Sequence, residues 1–70
     1  MKLSARNVLK GKVISVSEGA VNDEVVIEVA PGVHIVSIVT KSSAESLKLA
    51  PGKDAYAVIK ASSVLVGIDD

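Results

Sequence analysis

The stretch from Glu24 to Thr40, EVVIEVAPGVHIVSIVT, is two runs of mainly β-branched residues broken only by Pro31-Gly32. Val, Ile and Thr are stiff at χ1 and pack well on a pleated surface. Pro31-Gly32 is a strong turn signal. A chain built around this stretch is constrained to a β architecture. The expected strands are 24–30 and 33–40. In the first, Val25, Ile27 and Val29 share one face, with Glu24, Val26 and Glu28 on the other. In the second, Val33, Ile35, Ser37 and Val39 oppose His34, Val36, Ile38 and Thr40. Both faces of this strand are largely apolar, whereas a half-buried sheet alternates more cleanly. The simplest cause is that one face fills a barrel and part of the other meets a second subunit.

The flanking sequence extends the pattern. Residues 8–16, VLKGKVISV, form the first expected strand, with Leu9, Gly11 and Val13 on one parity and Val8, Ile14 and Val16 on the other. Gly11 in mid-strand signals a bulge or a sharp bend. Residues 17–23 read as a loop, in which Gly19 is free to take positive φ. Ser42 and Glu45 have capping-box spacing, so a short helix is expected there, with Ala44, Leu47 and at most Lys48, ending before Pro51-Gly52. Leu47 and Leu49 are placed to plug the end of a barrel. A fourth strand is expected at 55–61, a break at Ser62-Ser63, a fifth strand at 64–68, and a solvated tail at Asp69-Asp70. Five strands with a helix between the third and fourth match a small Greek-key barrel of the oligonucleotide/oligosaccharide-binding type.

Size decides how such a barrel is stabilised. The chain has 70 residues and is expected to form one domain, 1–70. A domain this small buries only about 60% of its unfolded surface. Disulfides, metals or oligomerisation are the usual supplements. There is no cysteine and a single histidine, His34, which excludes disulfides and thiolate or multi-histidine metal sites within one chain. Apolar residues make up 49% of the chain, a high share that favours oligomerisation.

Composition also narrows function. Eight basic and eight acidic residues cancel, which argues against a strong nucleic-acid binder. Tyr56 is the sole aromatic residue, so a base-stacking platform cannot be built. No apolar run is long enough to span a membrane and no signal peptide is visible, so a soluble cytoplasmic protein is expected. His34 lies in mid-strand without a visible nucleophile partner. The carboxylate pairs Asp23-Glu24 and Asp69-Asp70 sit at a loop and a terminus, where solvated charge is the ordinary reading. No catalytic constellation emerges, and the chain is expected not to be an enzyme.

Three places instead carry the ingredients of an anion site, namely backbone N–H groups, hydroxyls and modest positive charge. One is Ser4-Ala5-Arg6-Asn7, before the first strand. Another is Lys60-Ala61-Ser62-Ser63, at the exit of the fourth. Strands one and four can be neighbours in a barrel, which makes their pairing reasonable. The third is the loop through Gly19, Ala20 and Val21, where a plain connection is an equal alternative.

Four segments together resemble the molybdate-binding Mop domain of stand-alone molbindins. They are SARN followed by LKGKV, GAVNDEVVIEV, SIVTKSSAESLKL, and PGKDAYAVIKASSVLVG, in family-like order across essentially the whole chain. The resemblance implies a five-stranded barrel and a homohexamer arranged as a trimer of dimers. It implies that molybdate, sometimes tungstate, is bound between subunits for intracellular storage and homeostasis. Carried over residue by residue, one oxyanion site would use Ser4, Ala5, Arg6, Asn7, Thr40, Lys60, Ala61 and Ser62. A second, near a threefold axis, would use Gly19, Ala20 and Val21. Ala61 departs from members that carry serine after the lysine, so the hydroxyl would come from Ser62 or be replaced by the Ala61 N–H. Arg6 is left with two options, its side chain or its backbone. No organic cofactor, nucleic acid or membrane is implied. The alternatives are a nucleic-acid-binding barrel of the same topology and an interaction module that has lost its ligand.

Overall fold

The structure is a computed structural model that describes residue 1 and residues 4–69. Four strands and one short helix are formed: β1 (Asn7–Glu18), β2 (Asn22–Ala30), β3 (Val33–Thr40), α1 (Lys41–Ser46) and β4 (Asp54–Ile59). All ladders are antiparallel, and the sheet order is β3-β2-β1-β4. That is the Greek-key arrangement, in which the fourth strand returns to lie beside the first. The sheet curls, with β3 and β4 as its two open edges.

β1 is the element that makes the curl. Its first half, from Asn7 to Lys12, pairs with β4, and its second half, from Lys12 to Glu18, pairs with β2. The handover falls at Gly11 and Lys12. A Cβ on Gly11 would stand 2.3 Å from the Glu28 carbonyl oxygen and 2.9 Å from Ile27 Cγ2. Glycine is required here by close backbone approach, so this is a bend. The bulge lies three residues further on. Val13 pairs with Ile27 and Ser15 with Val26, leaving Ile14 extra. The extra residue resets the alternation. Val13 and Val16, on opposite parities in the sequence, therefore both pack on the core, while Ile14 is exposed.

The core is small. Val13, Val25, Ile27 and Ala57 are buried, with Val16, Val29, Ile35, Val39, Leu49 and Ala55 packed around them. The inward face of β2 is as expected, and Ile35, Ser37 and Val39 form the inner face of β3. Val36 and Ile38 are exposed on its outer face. Leu49 reaches the core but Leu47 is exposed, so one leucine of the expected pair plugs the barrel.

Helix α1 starts two residues earlier than the Ser42-Glu45 spacing suggests. Its N-cap is Thr40, whose Oγ1 accepts from the Ser43 N–H at 3.1 Å. The helix ends in a Schellman pattern: Lys48 N–H donates to the Glu45 carbonyl and Leu49 N–H to the Ala44 carbonyl, each at 3.0 Å. Lys48 carries the left-handed residue of that pattern, at φ 53°, a place glycine usually fills. This motif is what turns the chain so that Leu49 enters the core beside buried Ala44.

Other expectations are corrected. β4 stops at Ile59, so Lys60 and Ala61 lie outside it, and a 3-10 turn follows at Ala61–Ser63. The expected loop at 17–23 shrinks to residues 19–21, because the β1–β2 ladder continues through Glu18 and Asp23. The fifth strand is not formed. Residues 64–68 have strand composition but no ladder partner, and Leu65, Val66 and Ile68 are 93, 91 and 89% exposed. β propensity reports fitness for a pleated surface, and a ladder still needs an adjacent edge. Asp69 is exposed. Asp70 lies outside the described residues.

Four substitutions test these assignments. Gly11→Ala is expected to destabilise by about 3 kcal/mol, because backbone must shift to admit the methyl; the readout is the urea midpoint. Thr40→Ala is expected to cost about 1 kcal/mol as a lost N-cap, and Ser42→Ala only a fraction of that. Lys48→Gly is expected to raise the melting temperature, since about 1 kcal/mol of left-handed strain is removed. Calorimetry of the two capping variants and of Lys48→Gly checks the order.

Candidate functional site

The β1–β4 ladder joins the two donor-rich segments. Asn7 pairs with Ile59 at its last rung, and the Asn7 carboxamide donates to the Ile59 carbonyl at 3.3 Å. Residues 4–6 therefore enter the sheet where Lys60, Ala61 and Ser62 leave it. Asn7 holds this junction together. Among the described residues, the amides of Ala5, Arg6, Ala61 and Ser62 donate to no protein acceptor. Ser4, Arg6, Lys60, Ala61 and Ser62 are exposed, and Ala5 and Asn7 are half-buried. Neither Arg6 nor Lys60 forms an ion pair among the described residues. The cluster thus offers N–H, O–H and two cationic side chains, most of them exposed.

Thr40 is elsewhere in the fold. It pairs with Asn22 at the end of the β2–β3 ladder, and the next residue, Lys41, donates its N–H to the Val21 carbonyl at 3.2 Å. Within one chain Thr40 therefore stands with the loop of residues 19–21, at the opposite end of β1 from Asn7. Its Oγ1 is engaged by the helix cap and by the hydroxyls of Ser42 and Ser43 at 3.2 and 2.8 Å. The loop itself is half committed. Gly19 N–H donates to the Asn22 carbonyl at 2.9 Å, and a Cβ at Gly19 would fall 2.5 Å from that oxygen. Among the described residues, the Ala20 and Val21 amides have no such partner. Val21 is exposed.

One charge pair near this loop was not foreseen. Asp23 is 4% exposed, and Lys41 Nζ reaches its Oδ1 at 3.1 Å. The expectation of a solvated Asp23 fails because the ladder extends one rung further and turns this side chain inward, on the face of Val25. Buried carboxylates need a partner, and Lys41, carried by the first turn of α1, supplies it. A lysine at the strand-to-helix junction near an otherwise apolar alternation was the available signal.

The other two ion pairs among the described residues lie on the surface. Lys12 Nζ contacts Asp54 Oδ1 at 2.7 Å. The Lys12 hydrogen bond, then its charge, hold the Asp54 carboxyl below the usual aspartate range, with a smaller pull from Lys10. His34 Nε2 lies 3.1 Å from Glu28 Oε2, its cross-strand neighbour. That gives His34 the partner the sequence did not reveal, a carboxylate on an exposed face. Among the described residues no cluster of three His, Cys, Asp or Glu is arranged to hold a metal ion. No helix among them is long and apolar enough to cross a membrane.

Comparison with known proteins follows the same lines. Residues 3–66 match the TOBE domain. The chain is 49% identical over 69 residues to the "Probable molybdenum-pterin-binding protein" of Haemophilus influenzae, covering 99% of this chain and 100% of that one. Among solved structures, MopII from Clostridium pasteurianum superposes with a TM-score of 0.89 at 42% identity, over 96% of this chain and 100% of that one. The molybdate-bound cytoplasmic molybdate-binding protein ModG gives 0.93 at 48% identity, over 99% of this chain and 49% of the ModG chain. These neighbours share the curled Greek-key sheet, and at these identities the likeness extends to sequence as well as fold. The chain belongs to the TOBE domain family, among the molybdenum-pterin-binding Mop proteins.

Proposed function

We propose that this chain binds molybdate, or the similar tungstate, for intracellular storage and homeostasis, and that the oxyanion is held at subunit interfaces of a homo-oligomer. The observation that carries the reading is the junction at Asn7 and Ile59, where two donor-rich segments meet with their amides unspent. A tetrahedral dianion has acceptors on every corner and requires donors only. Ser4, Ala5, Arg6, Lys60, Ala61 and Ser62 supply donors and no carboxylate. The choice of molybdate over other oxyanions is supported by the names of the relatives.

The exposure of the junction supports an interface. A dianion bound by this face alone would stay largely in water, and charge-assisted hydrogen bonds gain strength when water is excluded. A second copy would close the open side. It would also explain Thr40, which is remote from the junction in its own chain but available from a neighbour. A hexamer built as a trimer of dimers fits this division of labour. The loop through Gly19, Ala20 and Val21 is proposed as the lesser site, with two amides to offer. In this reading the whole chain, 1–70, acts as one cytoplasmic binding domain rather than an enzyme, and takes no organic cofactor or nucleic acid.

Thermal melts with molybdate, tungstate and sulfate test the proposal. A ligand at a hundredfold excess over its dissociation constant adds about 2.7 kcal/mol of stability. The expected result is a clear rise in melting temperature with molybdate or tungstate and little with sulfate. Lys60→Ala and Ser4→Ala are each expected to weaken binding about tenfold or more, as one charge-assisted or hydroxyl bond is lost. A folded, assembled chain whose melting ignores molybdate would overturn the reading.

A further inference from the structure

We propose that Asp23 sets the oxyanion affinity of the loop at residues 19–21, by holding the ammonium of Lys41 in an ion pair and so keeping that charge from the loop. The inference rests on the proposed second site and names the residue that tunes it.

Three observations point to it. The first is contact. The Lys41 N–H donates to the Val21 carbonyl at 3.2 Å, so Lys41 is bonded to the loop itself. Its Nζ instead reaches Asp23 Oδ1 at 3.1 Å. One residue thus gives its main chain to the loop and its charge to Asp23. The second observation is placement. Asp23 shares the inward parity of Val25 and Ile27 and stands opposite Val39 in the β2–β3 ladder. It is the one buried polar or charged side chain among the described residues. A clamp alone does not require charge there. The Lys41–Val21 bond already ties the helix start to the loop, and replacing a buried ion pair by apolar residues of similar volume is often neutral or stabilising. The third observation is charge balance. Glu18 is exposed and faces Asp23 across the last rung of the β1–β2 ladder. Residues 18–23 and Lys41 therefore carry two carboxylates against one ammonium. The junction at Asn7 has Arg6 and Lys60 and no carboxylate. A dianion at the Ala20 and Val21 amides meets a field of the wrong sign, and Asp23 is one of its two sources.

The main rival makes Lys41 itself a ligand, released from Asp23 when a dianion arrives. That release would strand a carboxylate that is only 4% exposed. An uncompensated buried charge costs more than one charge-assisted hydrogen bond gains. Asp23 therefore keeps Lys41, and the loop binds with its two amides. Asparagine at position 23 keeps the shape and an acceptor for Nζ but removes the charge. Lys41 then becomes a cation beside the loop, held there by its own main-chain bond.

Amide NMR titration of the full chain with molybdate tests this. Lys60→Ala is the background, so that the junction is weakened and the loop is read by the Ala20 and Val21 resonances. Asp23→Asn is expected to tighten the loop response about tenfold or more, by one charge-assisted bond. Adding Lys41→Met to Asp23→Asn restores the wild-type charge balance and is expected to abolish the gain. A purely structural role for Asp23 predicts weaker binding instead. A loop response unchanged or weakened by Asp23→Asn, or a gain that survives Lys41→Met, would overturn the proposal. Should Asp23→Asn not fold, the wild-type chain decides. Its Lys41 ammonium resonance is expected to stay fixed while the Ala20 and Val21 amides shift. An ammonium that moves with them, or amides that stay still at saturating molybdate, would overturn the assignment. The junction is scored separately, by the amides of residues 4–6 and 61–62 in the wild-type chain. A response there without a gain at the loop sinks the role of Asp23 alone. Silence there with a gain at the loop sinks the junction reading and leaves Asp23 standing.

Discussion

β1 serves two partners, and every other feature of the fold follows from that division. Its first half is laddered to β4 and its second to β2, with the handover at Gly11 and Lys12. The strand can be shared because Gly11 lets the backbone pass the Glu28 carbonyl at a distance that no side chain permits. A straight strand would pair with both neighbours along its full length and leave the sheet uncurled. The bend curls the sheet and turns Val13 into the core against Ile27. It also sends Asn7 to the end of β4. The Asn7–Ile59 rung is therefore a consequence of Gly11, and so is the meeting of residues 4–6 with Lys60.

Much of this architecture was legible in the residues. β2 and β3 were readable nearly to the residue because three signals agreed: β-branched composition, alternation, and a turn at Pro31-Gly32 where Gly32 takes φ 74°. The face of β1 was not readable beyond Val13. A bulge adds one residue without a composition signature, and here it brought Val16 to the same side as Val13. The helix was located correctly and its cap was not. Thr40 and Ser42 both carry a suitable hydroxyl, and the choice fell to the residue at the end of β3, whose backbone is already extended at φ −68° and ψ 153°. The fifth strand illustrates a different limit. Its composition was read correctly, but a strand also needs an adjacent edge, and composition does not report whether one is there.

The same limit governs the candidate site. The donor content of residues 4–7 and 60–62 was visible in the chain, and their adjacency rested on the β1–β4 ladder, which the structure contains. Thr40 was grouped with them by resemblance, and the ladder carries it to the other end of the sheet, beside the loop of residues 19–21. Asp23 shows how one rung changes chemistry. Read as a loop residue it is a solvated charge; as the first inward position of β2 it is a buried carboxylate that requires Lys41. That lysine then has less to offer an anion in the nearby loop. The junction at Asn7 has no such competitor, because Arg6 and Lys60 form no ion pair among the described residues.

The small core ties the site to the assembly. Among the described residues, a core cluster of four buried side chains with its half-buried neighbours is little for a chain of this length, and stability in small domains is a thin margin between large terms. Meanwhile Val36, Ile38, Leu65, Val66 and Ile68 stand exposed. These residues lie on the edge strand and on the segment after the donor cluster, so the surfaces that would complete the fold are the ones that flank the proposed site. A ligand held at such a boundary contributes bonds to both copies, and linkage then makes its binding free energy part of the stability of the assembly. Neutralising a dianion with backbone amides and two flexible cations gives a single chain little, since water competes for every donor. The same donors, closed off by a second copy, gain strength from the loss of that competition. In the proposed assembly, exposure at the junction is thus the condition that would let association, rather than folding alone, create the site.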